Sequence, residues 1–150
     1  MIKKIKHDLL TVKAEIIAHQ VNCLGRVGGL AGQIARKYPE NYKQYIEYCN
    51  QSKPNLRALL GDVLYVKTND GKIIANLFGQ YNTGINKRQT DYNALNETFN
   101  KLRGYMLENE IESVAFPYML GCGLGGGSWT RVRKQIENYF SDFDCYICEL

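Results

Sequence analysis

The sequence predicts an α/β chain, folded as a three-layer α/β/α sandwich around a central mixed β-sheet. Three observations carry that expectation. Short apolar runs alternate with segments whose apolar residues recur at helical spacing. Two of the runs flank Asn69-Asp70-Gly71, a turn sequence that joins antiparallel strands, so the sheet cannot be wholly parallel. The 150 residues are the size of one ordinary domain, and residues 1–150 are expected to form a single unit.

Taken in order, residues 3–6 read as a short strand, followed by His7-Asp8-Leu9-Leu10. Ile16-Ile17-Ala18-His19-Gln20-Val21 is mostly apolar on both phases, the pattern of a strand covered on both faces. It runs into the glycine-rich loop of residues 22–29, and a helix is predicted over 30–37. Pro39 ends that helix or starts the next, where Tyr42, Tyr45, Ile46 and Cys49 mark a helical face over 40–51. Residues 62–68 and 72–78 form the hairpin strands. Thr90 is expected to cap a long helix, with Asp91 beside it and an apolar face of Tyr92, Leu95, Phe99, Leu102 and Met106. Residues 113–116 make a strand, and a second glycine-rich loop follows at 120–127. Ser128 is expected to cap a helix carrying Trp129, Val132, Ile136 and Phe140, with Trp129 as its buried anchor. Residues 145–150 make the last strand.

Composition narrows the class. Hydrophobic residues at 45% and charged residues at 23% are those of a globular chain, which excludes disordered and fibrous classes. No apolar run is long enough to span a bilayer, and no membrane partner is expected. The N-terminus lacks the apolar core and cleavage site of a signal peptide. Net charge is a modest +4, with the basic residues dispersed, so no stable nucleic-acid partner is expected. Five cysteines fit no disulfide framework. Cys145 and Cys148 form a C-x-x-C, but on a strand their thiols point to opposite faces and cannot converge on a metal. All five read as free thiols, which suits a cytoplasmic location.

The chemistry concentrates in the two glycine loops, each following a strand and opening a helix. Ligands of open α/β sheets bind at the carboxyl ends of strands, where such loops gather. Glycine lets backbone approach a ligand closely, and helix N-termini present free N–H groups. Two such loops on one sheet edge point to a pyrophosphate gripped from both sides. Neither matches G-x-G-x-x-G with a following acidic residue, nor the lysine-ending P-loop, which disfavours dinucleotide oxidoreductases and nucleotide triphosphatases.

Taken together, the motifs resemble the macro domain family, whose members bind ADP-ribose. The resemblance rests on His7-Asp8-Leu9-Leu10, on His19-Gln20-Val21-Asn22-Cys23 leading to Gly28-Gly29-Leu30-Ala31, on Phe116-Pro117 followed by Gly121-Cys122-Gly123-Leu124, and on Trp129. The stretch from His19 to Pro39 looks most like the ADP-ribose 1''-phosphate phosphatase branch, and the Gly-Cys-Gly-Leu loop like the terminal ADP-ribose glycohydrolase branch.

The resemblance implies the macro domain fold, ADP-ribose or a derivative as ligand, ADP-ribosylated macromolecules as possible partners, and no cofactor. It implies that Asp8, with Leu9 beside it, meets the adenine; a turn or helix cap is the alternative role for Asp8. The backbone at Gly28, Gly29, Leu30 and Ala31, and at Leu120, Gly121, Cys122, Gly123, Leu124 and Gly125, would cradle the phosphates and distal ribose. Asn22 would face that ribose. Where the glycohydrolase branch carries a catalytic Lys and Asp, this chain has Gln80 and Gly125, which can neither form a lysyl adduct nor act as acid or base. His19 and Asn22 are then the catalytic candidates, His19 through a proton shuttled near neutral pH; a buried structural histidine is the other reading. Two isolated histidines and dispersed carboxylates offer no metal-ligand cluster. The implied activity is hydrolysis of a phosphate, acyl or protein-linked group from the distal ribose of ADP-ribose, the alternative being a binding module without turnover.

Overall fold

A computed structural model of the chain describes residues 1–123 and 125–150. Six strands form one sheet in the order β1-β6-β5-β2-β4-β3. They are β1 (Ile2–Lys6), β2 (Ile16–Asn22), β3 (Val63–Lys67), β4 (Ile73–Gln80), β5 (Ser113–Pro117) and β6 (Asp144–Glu149). All neighbours are parallel except the β3–β4 hairpin, closed by the Asn-Asp-Gly turn with Gly71 at φ +87°. The mixed sheet foreseen from that turn is present.

Among the described residues four helices cover the sheet: α1 (Gly29–Lys37), α2 (Pro39–Gln51), α3 (Tyr92–Glu108) and α4 (Trp129–Phe140). The strand β2 sits at the centre, and its alternation assigns the faces. Ile16 and Ala18 pack with Leu95, Phe99 and Leu102 of α3 and with Val132, Ile136 and Phe140 of α4. Ile17 turns the other way, toward Ile34 of α1, and Val21 meets Tyr45 and Cys49 of α2. Cys145 and Cys148 fall in the cores on opposite faces of β6, as residues three apart on a strand must. None of the described helices is long and apolar enough to cross a membrane.

Local signals were mostly realised, with three corrections. The N-cap of α3 is Asp91, whose carboxylate accepts from the Ala94 N–H at 3.0 Å, and not Thr90. Thr90 is buried instead, with its hydroxyl on the Gly121 carbonyl, a tertiary acceptor that local sequence does not reveal. Ser128 stands at the N-cap of α4, but its side chain makes no capping bond; its N–H donates to the Tyr92 hydroxyl at 2.8 Å. Trp129 is half-buried rather than a core anchor, edge-on to Tyr118 with ring centroids 5.3 Å apart. Two short 3₁₀ turns, Leu9–Thr11 and Leu56–Leu59, complete the elements.

Candidate functional site

After β2 the chain turns to the α1–α2 face, and after β5 it turns to the α4 face. Neighbouring strands whose connections diverge leave a crevice beyond their carboxyl ends. A cavity of about 600 Å³ occupies that place, lined by the end of β2, the first glycine loop with the start of α1, the loop after β4, and the second glycine loop. This is a typical volume for a small-molecule site.

The first wall is an uncapped helix. Gly28 is the N-cap of α1 and makes no side-chain capping bond, so the N–H groups of Gly29, Leu30 and Ala31 at the helix start have no intrahelical acceptor. These residues line the cavity. The α1 dipole adds roughly half a positive charge at that end. Asn22 shapes the approach to it. Its Oδ1 accepts from Leu24 N and Arg26 N at 3.0 and 3.1 Å, and its Nδ2 donates to the Arg26 carbonyl at 2.8 Å. The Tyr45 hydroxyl anchors the Asn22 carbonyl at 2.6 Å. The amide of Asn22 is thus committed to folding the loop over 22–26.

The second wall is the loop over 120–127. Gly121 has φ +72°, a left-handed conformation that favours glycine, and its carbonyl accepts from Gly127 N at 2.8 Å. Gly125 has no room for a side chain: an added Cβ would lie 2.5 Å from Thr90 Oγ1 and 2.8 Å from the Gly121 carbonyl oxygen. The N–H groups of Gly121 and Gly123 meet no acceptor among the described residues.

His19 lies in the floor, 3% exposed, with Nε2 2.7 Å from Asn76 Oδ1. The tautomer follows from the partners. Asn76 Nδ2 donates to the Leu64 carbonyl, an obligate acceptor, which fixes Oδ1 as the atom facing His19. Nε2 therefore carries the proton. Nδ1 keeps its lone pair and has no partner among the described residues. Burial drives the imidazole pKa down from 6.5 to about 4, against a smaller upward pull from the Asn76 hydrogen bond. Burial thus favours the neutral ring, with Nδ1 as its open acceptor.

The cavity brings together His19, Asn22, residues 28–31, Leu120, Gly121, Gly123 and Gly125. It does not include Asp8, Leu9 or Cys122 in its lining. Asp8 accepts from Leu10 N at 2.9 Å and caps the 3₁₀ turn, while Leu9 is buried. Cys122 packs against the α3–α4 core, its Sγ 3.3 Å from the Leu120 carbonyl oxygen, and burial pushes its thiol up to about 11. Leu124 lies outside the described residues. Gln80 touches the cavity with its carboxamide tied to Gln20 Nε2 (2.6 Å) and the Asn82 carbonyl (2.7 Å). Among the described residues, no three of the His, Cys, Asp and Glu side chains gather as a metal-binding set.

Further lining residues come from Arg26, from the loop after β4 and from the turn after β5. Arg26 reaches across to Asn82 Oδ1 and Thr83 Oγ1, each at 3.3 Å, and spans the two loops at the mouth. Ile85 stands 81% exposed at the same mouth, an apolar residue in a polar loop. Tyr118 and Met119 close the side beyond β5. A lone isoleucine between Gly84 and Asn86 was a usable signal for this rim; nothing local marks Arg26 as its bridge.

A model of the macro domain family matches residues 18–136. The ADP-ribose 1''-phosphate phosphatase of Lodderomyces elongisporus is 30% identical over an alignment 154 residues long, covering 95% of this chain and 92% of that protein. The DNA ADP-ribosyl glycohydrolase of Mycobacterium tuberculosis is 31% identical over 138 residues, with 89% of this chain but only 37% of that longer protein aligned. Among solved structures, the macrodomain of Mycobacterium tuberculosis DarG superposes with a TM-score of 0.85 at 28% identity, covering 100% of this chain and 98% of that one. The match over residues 18–136 and the relative that is 30% identical across 95% of the chain place it in the macro domain family.

Proposed function

We propose that the chain binds ADP-ribose or a derivative in this cavity and hydrolyses a group from its distal ribose. One observation carries the reading: the residues that bear two sets of unpaired backbone N–H groups, at the uncapped start of α1 and in the second glycine loop, line the same cavity. Preorganised amides suit a pyrophosphate because they donate to anionic oxygens without burying a countercharge. The names of the relatives support both the ligand and the reaction class, with the phosphate of ADP-ribose 1''-phosphate as the first leaving group to test and a DNA link as the second.

In this reading water attacks the phosphate or the anomeric carbon. Loop amides meet the negative charge that develops in the transition state. His19 contributes Nδ1 as an acceptor for water or a ribose hydroxyl, and Asn22 acts by holding the loop that carries the donors. Asp8 is retained as the adenine partner, through the carboxylate oxygen that does not cap the 3₁₀ turn. Gly28, Gly29, Leu30 and Ala31, and the backbone of the second loop, hold the phosphates. The five free cysteines, four of them buried, support a reducing compartment such as the cytoplasm as the working location.

A second reading is a binding module without turnover. It is favoured by Gln80 and Gly125 at the positions where the glycohydrolase pattern has Lys and Asp, and by the neutral His19. One experiment separates the two. ADP-ribose at 100 times its Kd is expected to stabilise the fold by about 2.7 kcal/mol, a melting shift of roughly 5–10 °C. Phosphate release from ADP-ribose 1''-phosphate, or free ADP-ribose from ADP-ribosylated DNA, then establishes the enzyme. A melting shift without release from any linked substrate establishes the module, and no shift at millimolar ADP-ribose removes both.

A further inference from the structure

We propose that Thr90 is a positioning residue which, with its hydroxyl oriented by Gln20, turns the Gly121 carbonyl of the second glycine loop away from the cavity and so makes that loop receptive to an anion. The inference rests on the anion-binding role proposed above, but the clamp itself is visible without a ligand.

The hydrogen-bond directions follow from obligate partners. The Gly121 carbonyl oxygen lies 2.6 Å from Thr90 Oγ1 and can only accept, so the hydroxyl proton points to it. The atom of Gln20 that lies 3.0 Å from the same Oγ1 must then be a donor, which makes it Nε2. The other proton of Nε2 goes to Gln80 Oε1 at 2.6 Å, and Gln80 Nε2 donates in turn to the Asn82 carbonyl. The network has one consistent sense, from the loop after β4 through Gln20 and Thr90 to Gly121.

The main chain of the same segment holds a second carbonyl. Gly125 O accepts from Gln89 N at 2.8 Å and from Thr90 N at 3.0 Å. Both oxygens, of Gly121 and of Gly125, therefore point to residues 89 and 90. A carbonyl oxygen facing a pyrophosphate repels it. Withdrawing two of them leaves the loop to present N–H groups, which inverts the local field in favour of negative charge.

Packing supports the same assignment. The Gln20 carboxamide is wedged between two glycines: a Cβ at Gly79 would lie 2.4 Å from its Oε1, and one at Gly121 would lie 3.1 Å away. A side chain at 125 and the hydroxyl of Thr90 exclude each other, as the 2.5 Å separation shows. The glycine found where the related branch carries an aspartate is thus the steric counterpart of Thr90.

The test uses two substitutions of similar size. Thr90→Val keeps the shape and removes the donor; Thr90→Ser keeps the donor. Thr90→Val is expected to weaken ADP-ribose binding by at least tenfold, or about 1.4 kcal/mol, by calorimetry. It is also expected to speed amide exchange at Gly127, whose N–H shares the Gly121 carbonyl, with the melting temperature within about 4 °C of wild type. Thr90→Ser restores binding to within about twofold of wild type. Wild-type affinity in Thr90→Val, or a serine variant as weak as the valine one, overturns the proposal. If the wild-type chain binds no ADP-ribose, the ligand reading falls while the exchange measurement still decides the clamp: unchanged exchange at Gly127 overturns it. Where Thr90→Val fails to fold, Gln20→Met, which removes the donor that orients the hydroxyl, is read by the same two measurements.

Discussion

The two faces of the sheet are packed with different chemistry. Against α3 and α4, Phe99, Phe116 and Phe140 meet one another at centroid distances of 5.1–5.6 Å among aliphatic side chains. Against α1 and α2, the core is interrupted by a buried polar set, in which His19 and Asn41 both bond Asn76, and Asn76 returns a bond to Asn41 at 2.8 Å. Apolar burial is strong but non-directional, whereas a buried hydrogen-bond network is costly to break and fixes orientation. The aromatic face holds the fold. The polar face lies under the cavity and holds its geometry.

The largest expected effect tests the aromatic face. Phe99→Ala is expected to cost about 3–5 kcal/mol by denaturant titration, while ADP-ribose affinity of the folded protein stays within about twofold. A large loss of affinity at unchanged stability would reverse the assignment of the two faces.

Next is the acid response of the polar face. The folded pKa of His19, about 4, lies below its unfolded value of 6.5. The unfolded chain therefore takes up a proton first as pH falls. Stability from this residue is fully present above about pH 6.5 and is lost progressively toward pH 4, by roughly 3 kcal/mol. Comparing urea midpoints of wild type and His19→Gln from pH 7 to pH 4.5 checks this, with a shallower slope expected for the variant. Parallel slopes would mean that His19 is not held neutral.

A loss of comparable size sharpens the contrast between stability and site. Asn76→Leu strands the His19 Nε2–H and the Asn41 amide, at about 1–3 kcal/mol for each stranded group. Unlike Phe99→Ala, it is expected to weaken ADP-ribose binding as well, because His19 loses the partner that sets its tautomer. Binding unchanged in Asn76→Leu would detach His19 from the site. The smallest effect is the loss of a helix cap: Asp91→Ala is expected to cost about 1 kcal/mol by denaturant titration.

How much was legible in the sequence differs between the same two regions. The strands, the hairpin and the faces of α3 and α4 follow from periodicity and turn chemistry, since apolar packing leaves a pattern in every element it uses. The glycine loops were legible because residues such as Gly121 and Gly125 answer to backbone constraints that few other residues meet. The polar floor was not. Asn41 and Asn76 are separated by 35 residues, and only the isolated asparagine in Ile73-Ile74-Ala75-Asn76-Leu77-Phe78 hinted at a buried partner. Thr90 and Asp91 were equally good caps by local chemistry, and the Gly121 carbonyl, 31 residues away, decided between them. His19 was singled out by the resemblance, but the drop of its pKa to about 4 is a product of burial that no local pattern reveals.

The central claim is that backbone amides of the two glycine loops bind the phosphates of ADP-ribose. An amide chemical-shift titration of the isotope-labelled chain with ADP-ribose tests it most directly. The expected result is saturable one-to-one shifts that are largest at Gly28, Gly29, Leu30 and Ala31 and at Gly121, Gly123 and Gly125. Shifts confined to other parts of the molecule, or none at millimolar ligand, would contradict it.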